Sequence, residues 1–535
     1  MSRAVSTGRF VRAAATAALW LGLAVASIGA VRPELRPWPG PGFRTEQGSF
    51  LRPLFDGVRF TPLVSVGDSL VPPKIDDDGF LFFPKPAGIG VQSVGRGLAE
   101  IYVPHGTTWQ DGVGSGRVSR LLLDQESRRV LAADWIVDGV ESFEGLSGGT
   151  LATTHEGFLV PQFLFGENSL QGPNHGVAAA VSVRSGIVAA LPWLGRFRHE
   201  AMLFLPITNG RVTAILTESG YPGQSEIYMY RADSDTDFLG GRGELLVFHA
   251  DAPRDVEDTQ LASMARKNRP LTGRFVPVRG FSVEGDPYDP AAVELGVKAA
   301  RALRFARLGD AAPDRRNASA FYFADQGDED FNDPVSGRPV SGDGRIYRLE
   351  LDSFDATLVR ELRVVLDGDE ADDLYRPCDL ETDERGLMIQ ENPGRRGIHP
   401  SRILRYDFNT RQLDPLAECA ERDPQGRLIP AGTGGVWRTT GIVDASDVFG
   451  AGTWLVSVQA PNDYSSAFVG RGGAGQLLLM KTPVVGEATK AEKERGKREK
   501  KEKEEAEKAA AESERAGPGE TPKAATPSES GDSAK

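Results

Sequence analysis

The chain has 535 residues, 75 acidic against 62 basic side chains, a formal net charge of −13 and only two cysteines. A hydrophobic content of 40% with 26% charged residues fits a water-soluble globular protein and excludes a polytopic membrane protein, and 62 Gly with 35 Pro disfavours a helical bundle. Two cysteines cannot build a disulfide scaffold or a Cys-rich zinc module, and the acid excess repels the phosphate backbone of nucleic acid.

In chain order, Arg3, Arg9 and Arg12 precede the apolar run Ala13 to Ala26, with small residues at Ala24, Ala26 and Ala30. This predicts a secretory signal peptide over residues 1–30, because the run is short for a bilayer span. No Cys follows it and no Arg-Arg pair precedes it, so neither a lipoprotein nor a twin-arginine signal is expected. The mature chain is expected to be periplasmic or secreted.

Residues 31–485 read as short β segments separated by turn residues. Arg211–Glu218, Glu226–Tyr230, Arg345–Leu351 and Trp454–Gln459 alternate or are wholly apolar, with β-branched and aromatic side chains. Helical patterning is rare: an apolar stripe with Pro290 at its start predicts a helix over Pro290–Leu308, and a weaker one covers Val256–Arg266. Gly116–Asp124 (GRVSRLLLD) is echoed by Gly344–Asp352 (GRIYRLELD) and more loosely by Ser401–Asp407 (SRILRYD). A strand recurring in a long chain of short strands predicts an all-β fold, a β-propeller. The span exceeds a propeller of ordinary blades of about 40–45 residues, so large inter-blade insertions or an appended β domain are required. Residues 487–515 have no large apolar side chain to bury, and residues 516–535 are rich in Pro, Ser, Thr and Gly. A disordered charged tail is expected over 486–535.

The chain has no P-loop, no Gly-x-Ser-x-Gly elbow, no His-Glu-x-x-His and no Cys-x-x-Cys, and its six histidines are not at metal-ligand spacing. Carboxylates remain as candidate ligands. Glu200 follows GRFRH, Glu218 ends the strand RVTAILTE, Asp379 sits in RPCDL and Glu391 ends LMIQE. Acids just past apolar strands are carried to the rim of a sheet, where a propeller gathers several blades' contributions. Converging carboxylates repel, and a cation relieves them. Oxygen-only coordination suits hard ions such as Ca²⁺, Mg²⁺, Mn²⁺ or Fe³⁺. The acidic stretches Asp233–Asp237, Asp325–Asp333 and Asp367–Asp373 read as solvated turns, the first lacking the glycine of an EF-hand at Phe238.

Several segments together resemble the PhoX-type alkaline phosphatases, secreted propellers that hydrolyse phosphomonoesters with iron and calcium in the central channel. They are Phe55–Leu63, Gly116–Asp124, Ser147–Glu156, Gly195–Ala201 (GRFRHEA), Leu216–Glu218, Pro377–Leu380 (PCDL) and Gly386–Asn392 (GLMIQEN). The resemblance implies metal binding by Glu200, Glu218, Asp379 and Glu391, and more weakly by Glu156. His199 is expected to pack against or orient Glu200. Three departures bear on the metal. The family's Cys-Ala-Gly-Gly is Leu146-Ser147-Gly148-Gly149 here, the following stretch is shortened, and the family's Asn-His-Glu is Pro104-His105-Gly106. Calcium is therefore favoured over Fe³⁺, whose thiolate ligand is replaced. Cys378 beside Asp379 points to the opposite face of its strand, and a disulfide from Cys378 to Cys419 is compatible with an oxidising compartment. The resulting expectation is a monomeric exported hydrolase acting on a small-molecule phosphoester, without nucleic acid and without a membrane span once the signal is removed. The alternatives are a non-catalytic calcium-stabilised propeller and a calcium-dependent propeller lactonase.

Overall fold

A computed structural model describes residues 34–483 apart from 71–79, 207–209, 222, 252–261, 280–285, 334–336, 371, 393–398, 423–426, 430–435 and 462–472. The expected signal segment and charged tail lie outside the described residues. Among these residues no helix is long and apolar enough to cross a membrane.

The described residues form six antiparallel four-stranded blades of a β-propeller. The first blade runs Gly90–Gly95, Leu98–His105, Arg117–Asp124 and Val130–Val137. The second runs Leu146–Ala152, Gln162–Glu167, Ala178–Ser182 and Val188–Ala190. The third (His199–Phe204, Val212–Glu218, Ile227–Ala232, Glu244–Ala250) and fourth (Leu308–Pro313, Ala320–Asp325, Arg345–Leu351, Leu358–Asp367) are joined edge to edge by Leu271–Pro277. The fifth runs Pro377–Thr382, Gly386–Glu391, Arg402–Asp407 and Leu413–Cys419. The sixth runs Arg438–Asp444, Thr453–Ala460 and Ala474–Lys481 and takes its fourth strand, Arg59–Ser65, from the start of the chain. Insertions rather than an appended domain account for the length.

The three sequence echoes occupy one structural position. Arg117–Asp124, Arg345–Leu351 and Arg402–Asp407 are each the third strand of a blade. Their apolar residues feed the inter-blade cores, as with Leu121 and Leu123, Tyr347 and Leu349, and Ile403. The expected long helix is shorter than its stripe. It spans Pro290–Ala300 between an Asp289 cap and a left-handed Arg301, and Leu308 already begins a strand. Ala302, Leu303 and Ala306 are buried as expected, but on the extended lead-in to the fourth blade. Of the weaker helix, 256–261 lies outside the described residues and only the single turn Ala262–Met264 is helical.

Ring closure depends on the first described residues. Leu51–Pro53 pairs with Leu413–Cys419 of the fifth blade, and Arg59–Ser65 pairs with Ala474–Lys481 of the sixth. The fully buried Gln476 side chain locks this seam, accepting from the Phe50 amide (2.9 Å) and donating to the Gly48 carbonyl and Ser65 hydroxyl (both 3.0 Å). Gln476→Leu would strand a buried donor and two acceptors, so it is expected to cost about 3 kcal/mol, read as a lower urea midpoint at unchanged m-value.

Candidate functional site: a carboxylate cluster in the channel

Each innermost strand crowds against its neighbours near the axis, and the ladders show how this is resolved. In five blades the pairing of the first strand with the second shifts register close to its start: at 147/150, 199/201, 308/311, 377/379 and 439/442. A bulge bends a strand and re-aims the extra side chain. Glu200 and Asp310 lie within such shifts and Asp379 at the edge of one. In the second blade the same place is taken by Gly148 and Gly149. Gly148 has φ +63°, and a Cβ there would stand 2.9 Å from the Glu200 carbonyl. Ser147, which stands where the resembling family has a thiolate, is thereby laid against Glu200, its Oγ 3.5 Å from the Glu200 carbonyl.

Glu200, Asp310 and Asp379 come from three successive blades and act on one another. Burial and, after it, the charge of Asp379 push the Glu200 carboxyl up to about 7, with Arg438 and Arg307 opposing the shift. Burial and then Asp379 raise Asp310 well above the usual carboxylate range, and burial raises Asp379. Asn168 donates to the Glu200 Oε2. Asp310 accepts from the Ala311 amide at 2.8 Å and the Leu380 amide at 3.4 Å. Arg438, on the innermost strand of the sixth blade, is aimed by Gln459, whose Oε1 accepts from its Nε and Nη2 (3.0 and 2.7 Å). Gln459 is in turn anchored on the Pro86 carbonyl. The Nε of Arg307 is buried and without a partner among the described residues. A second layer lies beyond: Arg315 is 3.0 Å from Asp444 and 3.7 Å from Glu381, a carboxyl that burial raises to about 7.

The other sequence candidates stand apart from this cluster. The second strands of four blades end on a carboxylate, at Glu167, Glu218, Asp325 and Glu391. Three of these clamp the lead-in to their own blade's innermost strand. Glu167 accepts from the Glu144 amide, Asp325 from the Ala306 and Arg307 amides, and Glu391 from the Tyr375 amide. Glu391 also receives both arms of Arg402, at 2.7 and 2.9 Å, so its charge is already matched. Glu218 breaks the pattern: it accepts from the Tyr228 hydroxyl at 2.8 Å and faces Glu226, a carboxyl that burial and then repulsion by Glu218 raise well above its usual value. Glu156 lies in the turn after the second blade's first strand, accepting from the Thr153 amide and hydroxyl and from His155 at 2.8 Å. His199 packs its ring on Phe197, 4.0 Å between centroids, and bonds the Gly195 carbonyl. The acidic turns are internal braces: Asp369 accepts from the Gly342 and Asp343 amides, Asp372 pairs with Lys267, and Ser234 caps the short helix Asp235–Leu239.

Cys378 and Cys419 are both buried and unbonded. They lie on the first and fourth strands of the fifth blade, about 14 Å apart at about 4.8 Å per strand, too far to join. The Cys378 thiol faces the Gln390 carbonyl at 3.4 Å. Sequence reasoning missed Asp310, Asn168, Arg307 and Arg438. Asp310 carried the same signal as the others, a lone acid in the apolar strand Leu308–Pro313.

The donor chemistry of Glu200, Asp310, Asp379 and Asn168 is oxygen-only and suits a hard cation rather than thiolate-ligated iron. In spacing the set is incomplete: among the described residues no three His, Cys, Asp or Glu side chains are placed to hold a metal ion.

A propeller with a charged axial cluster is thus the class the fold defines. Of the comparisons with known proteins, the likeness to one solved structure bears on the fold. No family profile and no curated protein sequence matches the chain. Among solved structures, Pseudomonas fluorescens PhoX in complex with vanadate, a transition-state analogue, matches with a TM-score of 0.56 and 13% identity, over 84% of this chain and 98% of that one. A luciferin-regenerating enzyme matches at TM-score 0.34 and 10% identity over 75% and 92%. The propeller domain of the Pyrococcus furiosus trilobed protease matches at 0.30 and 8% over 70% and 92%.

Two outcomes follow from the charges. Folded Glu200 keeps its proton up to about pH 7 against an ordinary value of 4.5, so folding takes up a proton between these values and its ionisation penalises the fold above them. Glu200→Gln is therefore expected to raise the melting temperature of metal-free protein near pH 8 and not near pH 4. Arg402→Met, by leaving Glu391 buried without its arginine, is expected to cost about 3–5 kcal/mol in urea denaturation.

Proposed function

We propose that the chain is an exported, calcium-dependent phosphoester hydrolase whose centre is the channel cluster of Glu200, Asp310 and Asp379. The observation that carries this reading is the approach of three carboxylates, on or beside bulges of three innermost strands, to two half-buried arginines. Propeller architecture shared with a phosphatase over nearly the whole of that chain supports the reading without assigning the activity.

Glu200, Asp310 and Asp379 would supply oxygen ligands that must draw closer together to hold an ion, with Asn168 fixing the Glu200 carboxylate. Calcium, when bound, would supply the positive charge and the acidified water that phosphoryl transfer draws on. Arg307 and Arg438 would bind the non-bridging phosphate oxygens, a guanidinium being the natural partner of a planar oxygen pair. Gln459 holds Arg438 in place for that contact. The bulged strands fix the carboxylates, so little rearrangement accompanies charge development. The replacement of a thiolate by Ser147 favours calcium over iron, and it also sustains the second reading, a calcium-stabilised propeller that binds a ligand without turning it over.

Calcium-replete protein is expected to hydrolyse p-nitrophenyl phosphate, and chelation to abolish turnover. Glu200→Ala and Asp379→Ala are each expected to lower kcat/KM at least about 100-fold with loss of bound calcium, as removal of a metal ligand should. Elemental analysis showing calcium without iron, together with no turnover of any phosphoester, would leave the binding reading and sink the hydrolase.

A further inference from the structure

Beside the channel cluster stands an aromatic residue that the proposed chemistry does not use. Tyr221 lies on the loop between the second and third strands of the third blade and is 59% exposed. Exposed tyrosines are ordinary, but this one is held. The Arg198 guanidinium carbon sits 4.7 Å over its ring centroid, and the Arg198 Nη2 donates to its hydroxyl at 3.3 Å. A cation within about 6 Å of the ring centroid is attracted to the face. One face of the ring is therefore covered, and the exposure belongs to the rest of it. Arg198 precedes Glu200 by two residues, and the Ser219 amide donates to the Arg198 carbonyl at 2.9 Å, so the Tyr221 loop is fastened to the strand that carries the channel carboxylate. Ser219 also hydrogen-bonds the Glu200 carboxylate. The Nε of Arg198 is buried without a partner among the described residues, so the guanidinium is committed to the tyrosine rather than to a carboxylate bridge.

We propose that Tyr221, braced by Arg198, is the platform on which an aromatic or heteroaromatic ring in the leaving group of the substrate stacks. A rigid aromatic presented at the rim of a polar site gives contact area at little entropic cost, and stacking tolerates any planar ring. The substrate class is then an aryl-type phosphoester rather than a simple alkyl phosphate. This inference rests on the phosphoester reading of the channel.

The test is calorimetric titration of the full, calcium-replete chain with phenylphosphonate and with methylphosphonate, neither of which can be hydrolysed. Phenylphosphonate is expected to bind about ten-fold more tightly, in keeping with the worth of one stacked ring. Tyr221→Ala is expected to erase the difference while leaving methylphosphonate affinity unchanged, and Tyr221→Phe, which keeps the ring, to retain most of it. Equal affinities in the unaltered protein, a preference surviving in Tyr221→Ala, or no binding of either anion would each overturn the platform. A ring preference in a protein that turns over no phosphoester would uphold the platform and refute the hydrolase.

Discussion

The innermost strands of six blades must share a narrow axis without a backbone ladder between them, and buried hydroxyls bridge the gap. Thr217 donates to the Gly309 carbonyl of the next blade at 2.7 Å, Thr382 to Pro313 at 2.6 Å, and Thr440 to Pro86 at 2.7 Å. Thr150 donates in the same way to Met202, and Gln390 exchanges two bonds with Gly441. At Gly309 and Gly441 the accepting carbonyl lies inside a register shift, so there the irregularity of one blade becomes the attachment of its neighbour. The channel cluster shares these bulges: Glu200 and Asp310 lie within register shifts and Asp379 at the edge of one.

Charge is managed in two ways along the same strands. Acids at the ends of second strands are neutralised locally, by amides at Glu167 and Asp325 and by Arg402 at Glu391. Burial raises the proton affinity of these acids as it does of those at the bulges, but at Glu200 and Asp310 the charge of Asp379 adds to the rise. A chain with this much net negative charge can keep such a cluster buried only while protons, Arg438 and Arg307, or a bound cation share the load. The distinction separates acids answered within their own blade from acids that meet one another across blades.

The fold was legible because its signals are local and repeated. The Arg-x-x-Arg strand at Gly116, Gly344 and Ser401 marks the third strand of three blades, where each copy feeds the core beside its own blade. The cluster was half legible. Glu200 and Asp379 were visible as acids on apolar strands, yet Glu391 carried the same pattern and is answered by Arg402, eleven residues on in the adjacent strand. Nothing in the one-dimensional pattern separates an acid that meets an arginine from one that meets another acid. Asp310 was overlooked because its strand, LGDAAP, has one large apolar side chain and so a weak strand signal, and Arg438 because its relation to Glu200 spans three blades. The helix read too long at Pro290 for the opposite reason: an apolar stripe continues past Arg301, but the burial it encodes is against the next blade.

The seam at Leu51–Pro53 and Arg59–Ser65 also sets the order in which the molecule can assemble. Its partners, Leu413–Cys419 and Ala474–Lys481, are among the last parts of the propeller to be synthesised. Until they exist, the opening strands have no edge to join and must wait as unpaired, β-prone chain. Closing the ring is therefore the contact of greatest sequence separation and a natural late step, with five blades able to collapse before it. A chain interrupted before residue 481 would keep most of its blades and lose the one junction that makes them a ring.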